Sequence, residues 1–144
     1  MNRADHQFSI PQCAVNGQTN NATLCPYTSA APVYNTQSLY QFYSDICSAK
    51  ASTTVLHYAS SNEVDYAVYR GTKQVWRWSS WHTATQTPHP LALQTGSCST
   101  WTFNWTGVDA FGNKVAKGDY TLETTFLPAE LAGRRTQVST FAVK

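Results

Sequence analysis

The sequence predicts an all-β fold, an antiparallel β-sandwich preceded by an irregular arm, and three observations carry that prediction. Only 12% of the 144 residues are charged, whereas 42% are hydrophobic and 13% aromatic. Such a mixture, rich in Thr, Val, Tyr, Trp and Phe, suits pleated, half-buried surfaces better than amphipathic helices. From residue 38 onward, short apolar runs alternate with turn residues at a spacing of about ten positions, which is the rhythm of a sandwich rather than of βαβ units. Finally, Trp101, Phe103 and Trp105 alternate with Thr100, Thr102, Asn104 and Thr106, which sets three aromatics on one face of a strand.

A chain of this length fits one domain with a real core. Residues 1–37, rich in Asn, Gln, Thr, Pro and Ala with turn signals at Asn16-Gly17 and Pro26, read as an irregular arm, and residues 38–144 as the sandwich. Strands are expected at 39–46, 53–58, 64–69 and 75–79. Trp76 and Trp78 share a strand face and are assigned to the core, and Trp81 falls opposite or beyond the strand end. Pro88-His89-Pro90 cannot sit in a central ladder, so it is a loop or an edge, after which 91–93 resumes an apolar stripe. Further strands follow at 98–106, 120–126 and 136–143. In the connection between the first two of these, Gly107, Gly112 and Gly118 allow positive φ where the chain must turn. Tyr120, just past that turn, is placed to send its hydroxyl back to the preceding backbone, as in the tyrosine corner of immunoglobulin-like sandwiches. Trp101, Phe103, Trp105, Gly107, Gly112, Gly118 and Tyr120 are therefore predicted to be structural. Glu63 and Asp65, alternating beside the Ser60-Ser61-Asn62 turn, read as solvated edge charges.

Val75-Trp76-Arg77-Trp78-Ser79, Trp105-Thr106-Gly107-Val108-Asp109, Gly112, Val115 and Gly118-Asp119-Tyr120-Thr121-Leu122 together carry a likeness. The series resembles the BsuPI domain family, named for an intracellular proteinase inhibitor of Bacillus, and more loosely the immunoglobulin-like insert of flagellar hook-capping proteins. It covers roughly residues 50–127. The resemblance implies an immunoglobulin-like antiparallel sandwich and brings proteinase inhibition as one functional expectation, with no inhibitory loop matched residue by residue. The added arm and the cysteines depart from the family and suit an exported relative.

Cys13, Cys25, Cys47 and Cys98 form no C-x-x-C pair, so a redox motif and a zinc ribbon lack their spacing. An even count in a low-charge β chain favours disulfides and an oxidising compartment. Of three pairings, Cys13 with Cys25 and Cys47 with Cys98 is preferred. Met1-Asn2-Arg3-Ala4-Asp5-His6 leads into no apolar h-region, so the expectation is an exported protein met in processed form, located in the cell envelope, the periplasm or the medium. The net charge of +2, with Arg134-Arg135 as the only adjacent basic pair, gives no nucleic-acid track. No run of 18 apolar residues is present to span a membrane as a helix.

No G-x-S-x-G elbow, phosphate loop or dinucleotide fingerprint occurs, and the reading leans away from an enzyme. The leading functional expectation is an accessory interaction module docked on an envelope or surface protein assembly, with no cofactor. The alternative rests on four imidazoles, His82, His89, His57 and His6 in order of preference, which could hold copper or zinc and support superoxide dismutase-like redox chemistry. Proteinase inhibition stands third.

Overall fold

The computed structural model describes residues 2–7, 14–15, 18–19, 24–33, 38–50, 52–131 and 135–144. Among these the chain forms β1 (Asn2–Gln7), β2 (Ala14–Val15), β3 (Gln18–Thr19), β4 (Leu24–Pro32), β5 (Tyr40–Ser48) and β6 (Thr54–Tyr58). There follow β7 (Val64–Arg70), β8 (Lys73–Arg77), β9 (His89–Leu93), β10 (Ser97–Trp105), β11 (Gly118–Phe126) and β12 (Thr136–Val143). Single 3₁₀ turns lie at Trp78–Ser80 and Ala129–Leu131, and the described residues contain no α-helix. Two antiparallel four-stranded sheets, ordered β1-β10-β5-β4 and β12-β11-β7-β8, make an immunoglobulin-like sandwich, and β6 pairs with β9 in a separate ribbon. Each strand expected from residue 38 onward is present, with boundaries shifted by at most two residues.

The two sheets meet through aromatic side chains, because alternation directs one side chain in two of each strand inward. Phe42 of β5, fully buried, lies 5.6 Å from the Tyr66 ring, 5.8 Å from Trp105, 5.8 Å from Phe141 and 6.3 Å from Trp76, so one residue touches rings from both sheets. Trp76, Trp78, Trp101 and Trp105 are all buried as expected, and Phe103 is half-buried against the same cluster. Burying each such side chain contributes about 1.5–3 kcal/mol, which makes β10 and β5 the spine of the fold. Hydroxyl pairs complete the joint. Ser44 Oγ and Tyr66 Oη lie 2.7 Å apart, as do Thr28 Oγ1 and Thr124 Oγ1, each linking one sheet to the other.

The arm expected over residues 1–37 is partly strand. β1 pairs with β10 through six positions and β4 pairs with β5 through nine, so both flank the first sheet as its edges. Pro26 and Pro32 are tolerated in β4 because a terminal strand offers one side free of ladder bonds. Cys47 stands opposite Cys98 in the β5–β10 register and is bridged to it, as expected. Cys25 is also disulfide-bonded, and Cys13 lies outside the described residues. Among the described residues no helix is long and apolar enough to cross a membrane.

Candidate functional site

Strand register divides the loops between two ends of the sandwich. Trp105 lies opposite Tyr40, Gly118 opposite Val143, and Arg70 opposite Lys73. The 106–117 connection and the Gly71-Thr72 turn therefore share one end, while the β6–β9 ribbon and the 78–88 loop occupy the other.

The 106–117 connection is closed by its own hydrogen bonds. Trp105 Nε1 donates to the Val108 carbonyl over 3.0 Å, and Val115 N donates to the Gly107 carbonyl over 2.9 Å. Val108 pairs with Lys114 in an isolated antiparallel bridge. Within that frame Asp109 N donates to the Asn113 carbonyl at 2.8 Å and Gly112 N to the Asp109 carbonyl at 3.1 Å. Asp109 Oδ1 accepts from both Phe111 N, at 2.9 Å, and Asn113 N, at 3.0 Å, the local bonding that suits Asp to turns. Gly107 and Gly112 hold φ values of 74° and 82°, where a side chain would be strained. Ala110 N reaches the Val75 carbonyl at 2.9 Å and fastens the loop to the edge of β8. Tyr120 Oη donates to the Ala116 carbonyl at 2.6 Å, the contact expected from its position after the turn.

All of this bracing leaves one large side chain outside. Phe111, at the tip, is 86% exposed, more than any other large hydrophobic residue described. Beside the loop a cavity of about 260 Å³ is lined by Arg70, Lys73, Asp109, Lys114 and Tyr120, among others. The Arg70 guanidinium sits 5.6 Å from the Tyr120 ring centroid, within cation–π range, and Lys114 Nζ donates to the Thr106 carbonyl. Arg70, Lys73 and Lys114 are all exposed. The composition of the loop made its glycines and Tyr120 legible. It gave no sign that Phe111 faces solvent, because whether an apolar loop residue turns in or out is decided by the fold.

At the other end the histidines are engaged one by one. His57 Nδ1 contacts Glu130 Oε2 at 2.7 Å while His57 N donates to Glu130 Oε1. Burial opposes ionisation of Glu130, but these hydrogen bonds from His57 outweigh it and hold the carboxyl below its ordinary value. His82 Nδ1 contacts the Trp78 carbonyl at 2.8 Å, with its ring stacked 4.1 Å from the Trp78 ring. His89 Nε2 contacts Glu63 Oε2 at 2.7 Å and its Nδ1 contacts the Thr87 carbonyl at 3.1 Å. With an oxygen acceptor at each nitrogen the His89 ring makes both bonds only when protonated, so hydrogen bonding to Glu63 and then to Thr87 raises its pKa. Of the residues expected as copper or zinc ligands, His57, His82 and His89 each turn a ring nitrogen to a different partner. Among the described residues no group of three or more His, Cys, Asp or Glu is placed to hold a metal ion, and the His6 side chain lies outside them.

Glu63 and Asp65 are not solvated edge charges. The Glu63 carboxylate is only 15% exposed and accepts from Arg3 Nη1 at 3.3 Å, His89 Nε2 at 2.7 Å and Trp101 Nε1 at 3.1 Å. Asp65 accepts from Arg77 Nη1 at 2.8 Å, Ser79 N at 3.1 Å and Ser79 Oγ at 2.8 Å. Their donors come from strands and loops far away in sequence, which is why alternation alone misplaced them.

The sequence profile of the intracellular proteinase inhibitor family, BsuPI, matches residues 28–131. The chain belongs to this family. The matched span runs from within β4 to the second 3₁₀ turn and contains the whole braced loop and strands of both sheets, with the edge strands β1 and β12 outside it. No curated protein matches the chain. Among solved structures it is similar to a stretch of an alkylpurine DNA glycosylase of Pseudomonas fluorescens, at 14% identity and TM-score 0.47, covering 87% of this chain and 31% of that one. It is similar to part of a β-glucosidase of Bifidobacterium adolescentis, at 15% identity and TM-score 0.45, covering 85% of this chain and 17% of that one. The collagen-binding subdomain of the Enterococcus faecalis surface protein ACE matches at 6% identity and TM-score 0.31, with 84% and 97% covered. The chain thus spans less than a third of the glycosylase chain and less than a fifth of the glucosidase chain.

Proposed function

We propose that this BsuPI chain is a non-catalytic proteinase-inhibitor-type binding protein that blocks a target proteinase by docking on it. The observation that carries the reading is the family match over residues 28–131, whose description is that of an intracellular proteinase inhibitor. The braced 106–117 connection supports it, because a loop already held by its own hydrogen bonds loses little conformational entropy when a partner closes on it. The Cys47–Cys98 bridge supports action in an oxidising compartment, so the partner would be an enzyme of the envelope, the periplasm or the medium.

The test is titration of a panel spanning proteinase classes, such as chymotrypsin, subtilisin, papain and thermolysin, with the purified chain. The reading expects residual activity of at least one enzyme to fall as a stoichiometric complex forms. Full activity of every enzyme at large inhibitor excess would remove it.

A further inference from the structure

We propose that Phe111 is the anchor of the docking surface, inserted as the tip of a closed turn into an apolar, aromatic-accepting pocket whose rim carries carboxylates. The proposal rests on the inhibitor reading and specifies its site and the chemistry of its partner.

Four observations converge on Phe111. Its side chain is 86% exposed, and transferring such a ring from water into a fitted pocket is the kind of contact that dominates binding, since a few central anchors carry most of an interface's energy. The backbone beneath it is fixed, with Asp109 Oδ1 holding the amides on both sides of the tip and Ala110 N tied to β8. Arg70, Lys73 and Lys114 stand exposed at the same end, with Asp119 as an exposed carboxylate there and Asp109 occupied in the turn. The exposed charge at this end is net cationic, and a partner matched to it presents Asp or Glu at its rim.

The turn also decides how Phe111 is presented. Proteinases bind the segment they cut as an extended strand, adding it to an edge of their own. Here Gly112 N bonds back to the Asp109 carbonyl and Gly112 sits at φ 82°, so the Phe111–Gly112 bond lies in a closed turn rather than in an extended segment. Phe111 plugs the pocket, and its peptide bond stays intact.

The test uses the full chain against the panel enzyme that wild type inhibits most strongly. Phe111 is 86% exposed and outside the core cluster, so Phe111→Ala keeps the wild-type thermal midpoint while inhibition weakens by about thirtyfold or more, the equivalent of about 2 kcal/mol. Phe111→Leu retains most of the inhibition. Lys114→Glu weakens it and lessens its dependence on salt. Mass spectrometry after long incubation finds the Phe111–Gly112 bond whole. Wild-type inhibition unchanged in Phe111→Ala overturns this proposal and leaves the inhibitor reading standing, and cleavage after Phe111 overturns the closed-turn presentation. A wild-type chain that inhibits no enzyme of the panel overturns both.

Discussion

The Tyr120 hydroxyl donates to the Ala116 carbonyl across 2.6 Å, so a buried residue near the start of β11 pins the last stretch of the loop that carries Phe111. Removing the hydroxyl leaves the ring in place against Phe141, 6.1 Å away, but strips the carbonyl of its donor. Tyr120→Phe is expected to lower stability by about 1–2 kcal/mol, seen in urea unfolding as a lower midpoint with the slope unchanged. Inhibition should weaken in the same variant as the loop loosens.

Glu63 gathers donors from β1, β9 and β10. Glu63→Ala leaves the Trp101 indole N–H, 3.1 Å from the lost oxygen, without its acceptor inside a fully buried residue. The expected cost is about 2–3 kcal/mol. Arg3→Ala, which removes a half-exposed donor at 3.3 Å, should cost about 1 kcal/mol or less. Equal losses in the two variants would contradict a hub centred on Glu63.

The β6–β9 ribbon is fastened by one carboxylate–histidine pair on each strand, and its anchoring depends on pH at both ends. His89 has a raised folded-state pKa, so its contribution is complete below its unfolded value near 6.5 and is lost as pH rises through the higher folded value. Glu130 is held below its unfolded value of 4.5, so its contribution is present above that pH and is lost as pH falls through the lower folded value. The ribbon is expected to be held best between about 4.5 and 6.5. The protection factors of the β9 amides, with the intrinsic base catalysis of exchange divided out, should fall on the alkaline side in the wild type, and His89→Gln should remove that fall.

Joining Cys47 to Cys98 closes a span of 51 residues across directly paired strands. The double variant Cys47→Ala, Cys98→Ala is expected to unfold with about 2–4 kcal/mol less stability, a loss that reduction of the wild type should reproduce in part.

Legibility in the sequence followed the strength of periodicity. The β10 and β11 faces could be read because Trp101 and Trp105, and Tyr120, Leu122 and Phe126, lie an even number of residues apart on one face of each strand and are all buried. Tyr120 was legible through its place after a glycine-rich turn. β4 was not, because its partner across the sheets is a hydroxyl pair, Thr28 with Thr124, rather than an apolar alternation, and because its prolines read as loop. Glu63 depends on donors from β1, β9 and β10, brought in by the crossing of the chain, and Asp65 on Arg77 and Ser79 of the neighbouring hairpin arm and the turn after it. The partners of His57, His82 and His89 could not be read from sequence, because Glu130, Trp78 and Glu63 are brought to them by the fold. Phe111 lies between Ala110 and Gly112 in a segment with no alternation at all, so only the folded loop reveals it as the exposed tip.

The measurement that bears most directly on the account is the loss of proteinase activity as wild-type chain is added to enzyme at a concentration well above the dissociation constant. The account predicts a straight decline to a break near one inhibitor per enzyme, with the inhibitor recovered uncut from the complex. Activity that stays level for every proteinase class, with no complex on size-exclusion chromatography, would contradict it.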